Sequence, residues 1–295
     1  MSTAKALLKT MRPKQWVKNV FILAAIVFDR KLFIPAYLLR TLATFVAFCL
    51  ISSTVYLIND LVDIDKDRQH PTKRNRPLPS GQLKPATAVM AAVIIPLVVI
   101  PLAFMVDWVL GLIIVLYLGL MILYTFYLKK LVIIDVMTIA AGFVLRVAAG
   151  VVVIDAANFS PWLYICMTLL ALFLGFGKRR HELFTLEADA ENHRASLQHY
   201  SLELIDQMTV VVVSAAVMGY SLYTFSAPNL PRTADGQPLM MLTIPFVLYA
   251  LFRYQYLVHV RKMGGTPEEI VLGDPPFVGA LLLYGITVLV LMYLF

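Results

Sequence analysis

The sequence predicts an all-α protein that crosses a membrane many times, and three observations carry that prediction. Of its 295 residues, 60% are hydrophobic and 15% charged, and the mean hydropathy is +0.79. An ordinary soluble domain carries about 25% charged residues. Apolar stretches near the ~20 residues that a spanning helix needs recur along the whole length. The short alternating segments of a membrane β-barrel are missing.

Nine spans follow: Gln15–Phe28, Arg40–Leu61, Ala86–Val106, Val109–Leu128, Leu131–Ile154, Pro161–Gly177, Ile205–Phe225, Met240–Val258 and Phe277–Phe295. The first is cut short by Asp29, Arg30 and Lys31. It spans only if "PKQWVKN" joins the helix, where Pro13 suits the first turn. No cleavable signal peptide is evident, because "MRPKQWVKN" interrupts any apolar run from residue 1 and no small-residue cleavage site follows. Cys49 and Cys166 lie inside apolar runs and read as small core residues, with no disulfide or metal site. No soluble domain, repeat or low-complexity tract is evident, so residues 1–295 read as one transmembrane domain. Two polar connections stand out, 62–85 and 178–204. The second, with "EADAENHRASLQHYSLELID", reads as a helical cap rich in good helix formers.

The basic residues set the sidedness. The segments before span 1 and after spans 2, 4, 6 and 8 hold 20 of the 25 Lys and Arg. The opposite segments hold Arg30, Lys31, Arg40 and Arg232, and Arg146 lies within span 5. The positive-inside rule puts the N-terminus in the cytoplasm and the C-terminus outside. The net charge of +7 then reflects topology and anionic ligands, not nucleic acid. The long charged connections are cytoplasmic, so a polar cavity and any chemistry belong on that side.

One stretch, "NDLVDIDKDRQHPTKRNRP" at 59–77, gathers four Asp, three Arg and two Lys. On a continuous helix Asp60, Asp63 and Asp67 fall within about 60° of arc, with Asn59 beside them and Asp65 pointing away. A line of hard oxygen ligands suits Mg²⁺, which is usually held by one or two carboxylates plus substrate phosphates and waters. The alternative is a solvated helix end whose acids pair with Lys66, Arg68 and Lys73. Like charges so close repel and call for something positive between them. Lys73, Arg74 and Arg76 follow in a Pro-punctuated loop and suit phosphate oxygens. Anchoring to lipid headgroups is the competing role. Carboxylates for a metal beside bases for phosphate are what a metal–diphosphate substrate needs.

"NDLVDIDKD" resembles the NDxxDxxxD signature of the UbiA superfamily of intramembrane prenyltransferases, whose members are bundles of nine helices. Within that superfamily, "RPKQWVKN", "YLINDLVDIDKDRQHPTKRNRPLPSG", "GKRRHEL", "FRYQYL" and "GGTPEEIVLGD" look like the decaprenyl-phosphate phosphoribosyltransferase branch. The resemblance runs from about residue 11 to the end. It implies transfer of 5-phosphoribose from phosphoribosyl diphosphate to a polyprenyl phosphate, with Mg²⁺, for cell-wall arabinan synthesis. Asp60, Asp63 and Asp67 would carry the metal, with Asn59 supporting.

Typical prenyltransferases of the superfamily carry a second Asp-rich motif after span 6. Here that place reads "GFGKRRHELFTLEADAE". Lys178, Arg179 and Arg180 cannot bind Mg²⁺ but can bind phosphate directly, as a phosphate-bearing acceptor requires. The competing reading is an ordinary positive-inside cluster. Glu187 and Glu191, with Asp189 between them, leave a displaced acidic site open. Glu182 could orient Lys178 by an i,i+4 pair or act as a base.

Other positions carry two readings each. Lys14 and Lys18, four apart, share a helical face; they either pin a phosphate or snorkel to headgroups with Trp16. Arg146, a membrane-buried ion, either touches a phosphate or pairs with a carboxylate on a neighbouring helix. Asp135 sits near the cytoplasmic mouth. Tyr124 and Lys129 end span 4, where the superfamily often places a Tyr and a Lys facing the pocket; an aromatic belt with a basic anchor is the alternative. Two rival functions remain: a prenyltransferase moving an isoprenoid to an aromatic or haem-like acceptor, and a non-catalytic lipid carrier or transporter. A carrier's site would lie near the midplane on broken helices.

Overall fold

Proline opens the helices that matter most. Pro35, Pro85, Pro161 and Pro275 each stand at the start of a long apolar helix, where a missing N–H costs nothing. The computed structural model describes residues 2–69, 73–156, 161–186, 195–262, 269–270 and 273–295. Its helices are α1 (Thr3–Thr10), α2 (Leu23–Phe28), α3 (Pro35–Val62), α4 (Ile64–Gln69), α5 (Pro85–Val106) and α6 (Trp108–Phe126). They continue with α7 (Ile134–Val153), α8 (Pro161–Leu186), α9 (Leu202–Ser226), α10 (Ile244–His259) and α11 (Pro275–Leu294). Among the described residues there is no strand, only an isolated bridge between Arg232 and Pro238.

Eight helices among the described residues are long and apolar enough to cross a membrane. α5 makes the strongest case. It has the highest mean hydropathy, 2.8, yet only 11% of its apolar window is buried within the protein. Leu97 and Met105 point outward. An apolar helix with so little protein around it needs lipid as its solvent. The chain is a multi-pass membrane protein.

The first expected span takes a different form. Pro13–Ile22 is a ten-residue 3-10 helix that runs into α2. Such long 3-10 runs are uncommon. At 2.0 Å per 3-10 residue and 1.5 Å per α residue, the two together reach roughly 29 Å, near the thickness of the hydrocarbon core. An α-helix over Gln15–Phe28 would reach only about 21 Å.

The chain divides into two compact units. One contains residues 1–26, 32–126 and 145–156. In it α3 packs on α5, α6 and the 3-10 segment. Trp16 Nε1 donates to Ser53 Oγ at 3.0 Å, which ties the 3-10 segment to α3. Gly150 faces the Ile22 carbonyl so closely that a Cβ would collide with it. Gly150→Ala is therefore expected to cost roughly 1–3 kcal/mol, the usual range for overpacking. A fall in the melting temperature of detergent-purified protein would report it; an unchanged value would show that this contact is slack.

The second unit contains residues 27–31, 127–144 and 157–295. There α8 packs on α9 and α10 on α11. Its core includes Val136, Phe173, Phe176, Ile205, Leu251 and Tyr254. The expected cap over 178–204 is in part the end of α8 and in part a 3-10 turn, Ala195–His199; residues 187–194 lie outside the described residues. "FRYQYL" and "GGTPEEIVLGD" meet through Arg253 and Asp274, whose two contacts measure 3.0 and 2.9 Å. Asp274 also caps α11 by accepting from Phe277 N–H at 3.0 Å. The Arg253 guanidinium holds the Asp274 carboxyl below the ordinary carboxylate range.

Candidate active site

The acidic motif lies where α3 gives way to α4. α3 stops at Val62 and Asp63 is its C-cap. The helical bonding nevertheless carries through: Asp63 N–H donates to the Asn59 carbonyl at 3.0 Å, and Asp67 N–H to the Asp63 carbonyl at 2.8 Å. Asp60 and Asp67 are buried, 1% and 4% exposed, while Asp63 and Asn59 are partly buried. Asp65 turns to solvent and pairs with Arg68 at 3.0 Å.

Two arginines reach the buried pair. Arg76 Nη1 lies 2.7 Å from Asp67 Oδ2 and 3.4 Å from Asp60 Oδ1. Arg12 Nη2 lies 2.5 Å from the same Asp60 oxygen. Arg76 is aimed by its loop, which folds over buried Pro77, Leu78 and Pro79. Leu83 N–H donates to the Pro77 carbonyl at 2.9 Å and closes that loop. Leu78 and Leu83 pack with Ala6 of α1, Leu57 of α3 and Ala88 of α5. Lys73 and Arg74 share the preceding short 3-10 turn, Lys73 partly buried and Arg74 exposed.

Among the described residues, no three of His, Cys, Asp and Glu gather closely enough to hold a metal by themselves. The residues present still fit Mg²⁺. One nitrogen bridges two buried carboxylates, so a cation already links them. Mg²⁺ bound to one or two carboxylates takes its other ligands from phosphates and water.

The other basic candidates of this unit stand apart in kind. Lys14 is exposed and Lys18 partly buried, both in the 3-10 segment. Three residues per turn place i and i+3, not i and i+4, on one face, so the shared face expected for these lysines on an α-helix is absent. Arg146 is buried at 7% exposure. Its Nε donates to Asn19 Oδ1 at 2.7 Å and its Nη2 to the Tyr117 hydroxyl at 2.8 Å. It also stacks on the Tyr117 ring at 4.7 Å. Tyr124 is partly buried near the end of α6.

The second unit holds a separate ionic cluster. Arg179 Nε lies 2.8 Å from Asp135 Oδ2, with the two side chains 1% and 0% exposed. Arg179 also bonds Glu182, and Arg180 Nε meets Asp206 Oδ1 at 2.7 Å. Glu182 thus has Arg179 as a partner; Lys178, the partner expected from the i,i+4 spacing, is partly buried. The Tyr200 hydroxyl donates to Asp135 Oδ1 at 2.9 Å and accepts from Ile133 N–H at 2.7 Å. Ile133 has φ +69°, a costly conformation for a β-branched residue, and that bond helps hold it. Burial raises the Tyr200 phenol above its ordinary range, so it stays a donor. Ser196 Oγ donates to the Lys129 carbonyl at 3.0 Å, and Lys129 itself is partly buried. Glu187, Asp189 and Glu191 lie outside the described residues.

Sequence reasoning missed Arg12, Asn19, Tyr117, Ser196 and Tyr200. Only Arg12 left a trace, as a basic residue directly before Pro13 in "RPKQWVKN".

Known proteins agree with this architecture. Residues 19–266 match the UbiA prenyltransferase family. The decaprenyl-phosphate phosphoribosyltransferase of Corynebacterium glutamicum is 34% identical over 281 residues, covering 92% of this chain and 82% of its own. The protein of that name in Mycobacterium tuberculosis is 32% identical over 274 residues, covering 90% and 87%. A UbiA homologue from Archaeoglobus fulgidus, solved with GPP and Mg²⁺, superposes with a TM-score of 0.73 at 16% identity, covering 97% of this chain and 99% of that one. At that identity the likeness speaks to the fold alone. Hydropathy, helical architecture and a match over most of the length converge: the chain belongs to the UbiA prenyltransferase family, and it is a membrane transferase.

Proposed function

We propose that this chain transfers 5-phosphoribose from phosphoribosyl diphosphate to a polyprenyl phosphate such as decaprenyl phosphate, with diphosphate as the leaving group and the lipid-linked phosphoribose as a cell-wall arabinan precursor. The observation that carries the reading is the buried Asp60–Arg76–Asp67 arrangement, in which two carboxylates share one cation beside a basic loop. The choice of donor is supported by relatives of that name, 30 to 34% identical over most of both chains.

In this reading Asp60 and Asp67, with Asp63 and Asn59 supporting, would hold Mg²⁺ together with phosphate oxygens of the donor. The metal, when bound, neutralises charge on the departing diphosphate. Arg76, Lys73 and Arg74 take phosphate oxygens of the donor, and Lys14 and Lys18 offer further ammonium groups. The bond from ribose C1 to the diphosphate oxygen breaks, and the electron pair leaves with the diphosphate. An acceptor phosphate oxygen forms the new bond to C1 from the opposite face, with inversion. Lys178 is assigned to that acceptor phosphate by its place in the "KRR" motif, and Arg179 beside it is buried against Asp135 and Glu182. No covalent nucleophile is needed; positioning and electrostatics supply the rate. The 3-10 segment and α2 make the first of nine crossings, with the N-terminus and the site cytoplasmic, which the distribution of Lys and Arg supports.

Detergent-purified protein tests this with labelled phosphoribosyl diphosphate, polyprenyl phosphate and Mg²⁺. Label is expected in the organic phase, and a chelator abolishes it. No label there, with product formed from a prenyl diphosphate and an aromatic acceptor, would assign the acidic site to a prenyl donor.

A further inference from the structure

Arg12, which takes no part in the proposed chemistry, meets the acidic site together with Arg76. Both come from connecting segments of the first unit: Arg12 joins α1 to the 3-10 segment, and Arg76 lies in the loop before α5. They converge on one atom, Asp60 Oδ1, at 2.5 and 3.4 Å. Arg76 also takes Asp67 Oδ2 at 2.7 Å. Each buried carboxylate is thus met by a guanidinium.

The backbone keeps Arg12 in place. It has φ +54° and ψ 64°, in the left-handed region. Its carbonyl accepts from Gln15 N–H at 2.9 Å and its N–H donates to the Lys9 carbonyl at 3.3 Å. Its guanidinium stacks on the Tyr56 ring at 4.8 Å. A non-glycine residue held in this region signals a structure that over-determines it. On one side both guanidiniums touch buried acid. On the other they stay open, with 27% and 30% of the side chains exposed.

A bare divalent ion that enters this arrangement meets carboxylates already matched by fixed positive charge. It would have to displace guanidiniums into like-charge proximity with itself. A metal arriving with a diphosphate meets a different situation. The diphosphate brings its own negative charge, and the displaced guanidiniums find phosphate oxygens, which suit their forked geometry. The same two residues oppose the metal alone and favour the metal–diphosphate pair.

We propose that Arg12 and Arg76 are exchangeable counter-ions: they occupy the carboxylates of the empty site, exclude bare metal, and pass to the phosphates when metal and diphosphate enter together. This rests on the assignment of Asp60 and Asp67 to a metal–diphosphate site and adds an order of binding to it. Arg12 becomes a diphosphate-binding residue of the donor site.

The test measures binding of Mn²⁺ to full-length protein in detergent by water-proton relaxation, with and without inorganic pyrophosphate. The wild type should bind Mn²⁺ weakly alone and at least about tenfold more tightly with pyrophosphate, within the usual range of coupling between ligands. Arg12→Gln and Arg76→Gln should each bind bare Mn²⁺ about tenfold more tightly than wild type and lose most of the pyrophosphate effect. Arg12→Lys and Arg76→Lys, which keep the charge, should bind bare Mn²⁺ close to wild type. The proposal is overturned if the Gln variants, eluting as folded protein, bind bare Mn²⁺ no more tightly. If they do not fold, the wild type decides: equal affinity with and without pyrophosphate sinks the exchange. Pyrophosphate carries no sugar, so this outcome is independent of donor identity. Failed phosphoribose transfer beside a positive Mn²⁺ result counts against the proposed reaction alone.

Discussion

Asp60→Asn is expected to lower turnover by about a thousandfold while leaving the protein folded. Charge stabilisation by a bound metal is worth several kcal/mol, and each 1.36 kcal/mol is tenfold in rate. Asn keeps the size of Asp60 and its acceptor oxygen, so the end of α3 is not forced to repack. What disappears is the buried charge on which Arg12 and Arg76 converge. Both arginines are partly exposed and can turn to water. Asp67→Asn should fall in the same range, because Asp67 is also buried against Arg76. Asp65→Asn is the internal control: its side chain is 84% exposed and paired only at the surface. Such pairs contribute little, so turnover should stay within about twofold of wild type. Equal losses at Asp60 and Asp65 would show that the motif acts through its total charge and not through this geometry.

Arg179→Met is expected to destabilise the protein by about 3 kcal/mol. Breaking a buried ion pair by removing one partner costs ~3–5 kcal/mol, because the other charge stays behind. Glu182 is 28% exposed and can be hydrated, but Asp135 is wholly buried. Asp135 still keeps Tyr200 at 2.9 Å and its neighbour's Val136 N–H at 2.9 Å, which places the loss at the lower end. The double change Arg179→Met with Asp135→Asn should recover most of the melting temperature, since no charge remains uncompensated. If Arg179 instead serves only an acceptor phosphate, stability will not move and the KM for the acceptor will rise. The pair would thereby separate a structural ion pair at Arg179 from the phosphate role expected of the "KRR" triplet.

Much of the fold was legible because hydropathy is local. Ala86–Val106 was expected for α5 and Pro85–Val106 is observed, since apolar residues and an N-terminal proline mark both ends. The first span resisted for a physical reason. Hydropathy counts residues, whereas a bilayer measures length, and the 3-10 form gains about 0.5 Å per residue over an α-helix. In the acidic motif, main-chain bonding runs through Asp63 across the break between α3 and α4, and Asp60 and Asp67, marked by their spacing, both meet Arg76. Its counter-ions were not equally visible. Arg76 lies 16 residues away in an evidently basic loop, but Arg12 lies 48 residues away. Tertiary folding chooses such partners. In the same way, the three residues of the "KRR" triplet look alike in sequence. In the structure Arg179 is buried against Asp135 and Arg180 meets Asp206, environments that the sequence does not distinguish.

The most direct test of the account is mass spectrometry of the lipid product under donor competition. Purified protein would receive phosphoribosyl diphosphate and a prenyl diphosphate together, with Mg²⁺, polyprenyl phosphate and an aromatic acceptor. The account predicts a polyprenyl phosphate heavier by one phosphoribosyl group, absent with Asp60→Asn, and an unchanged aromatic acceptor. An unmodified polyprenyl phosphate beside a prenylated aromatic product would contradict it.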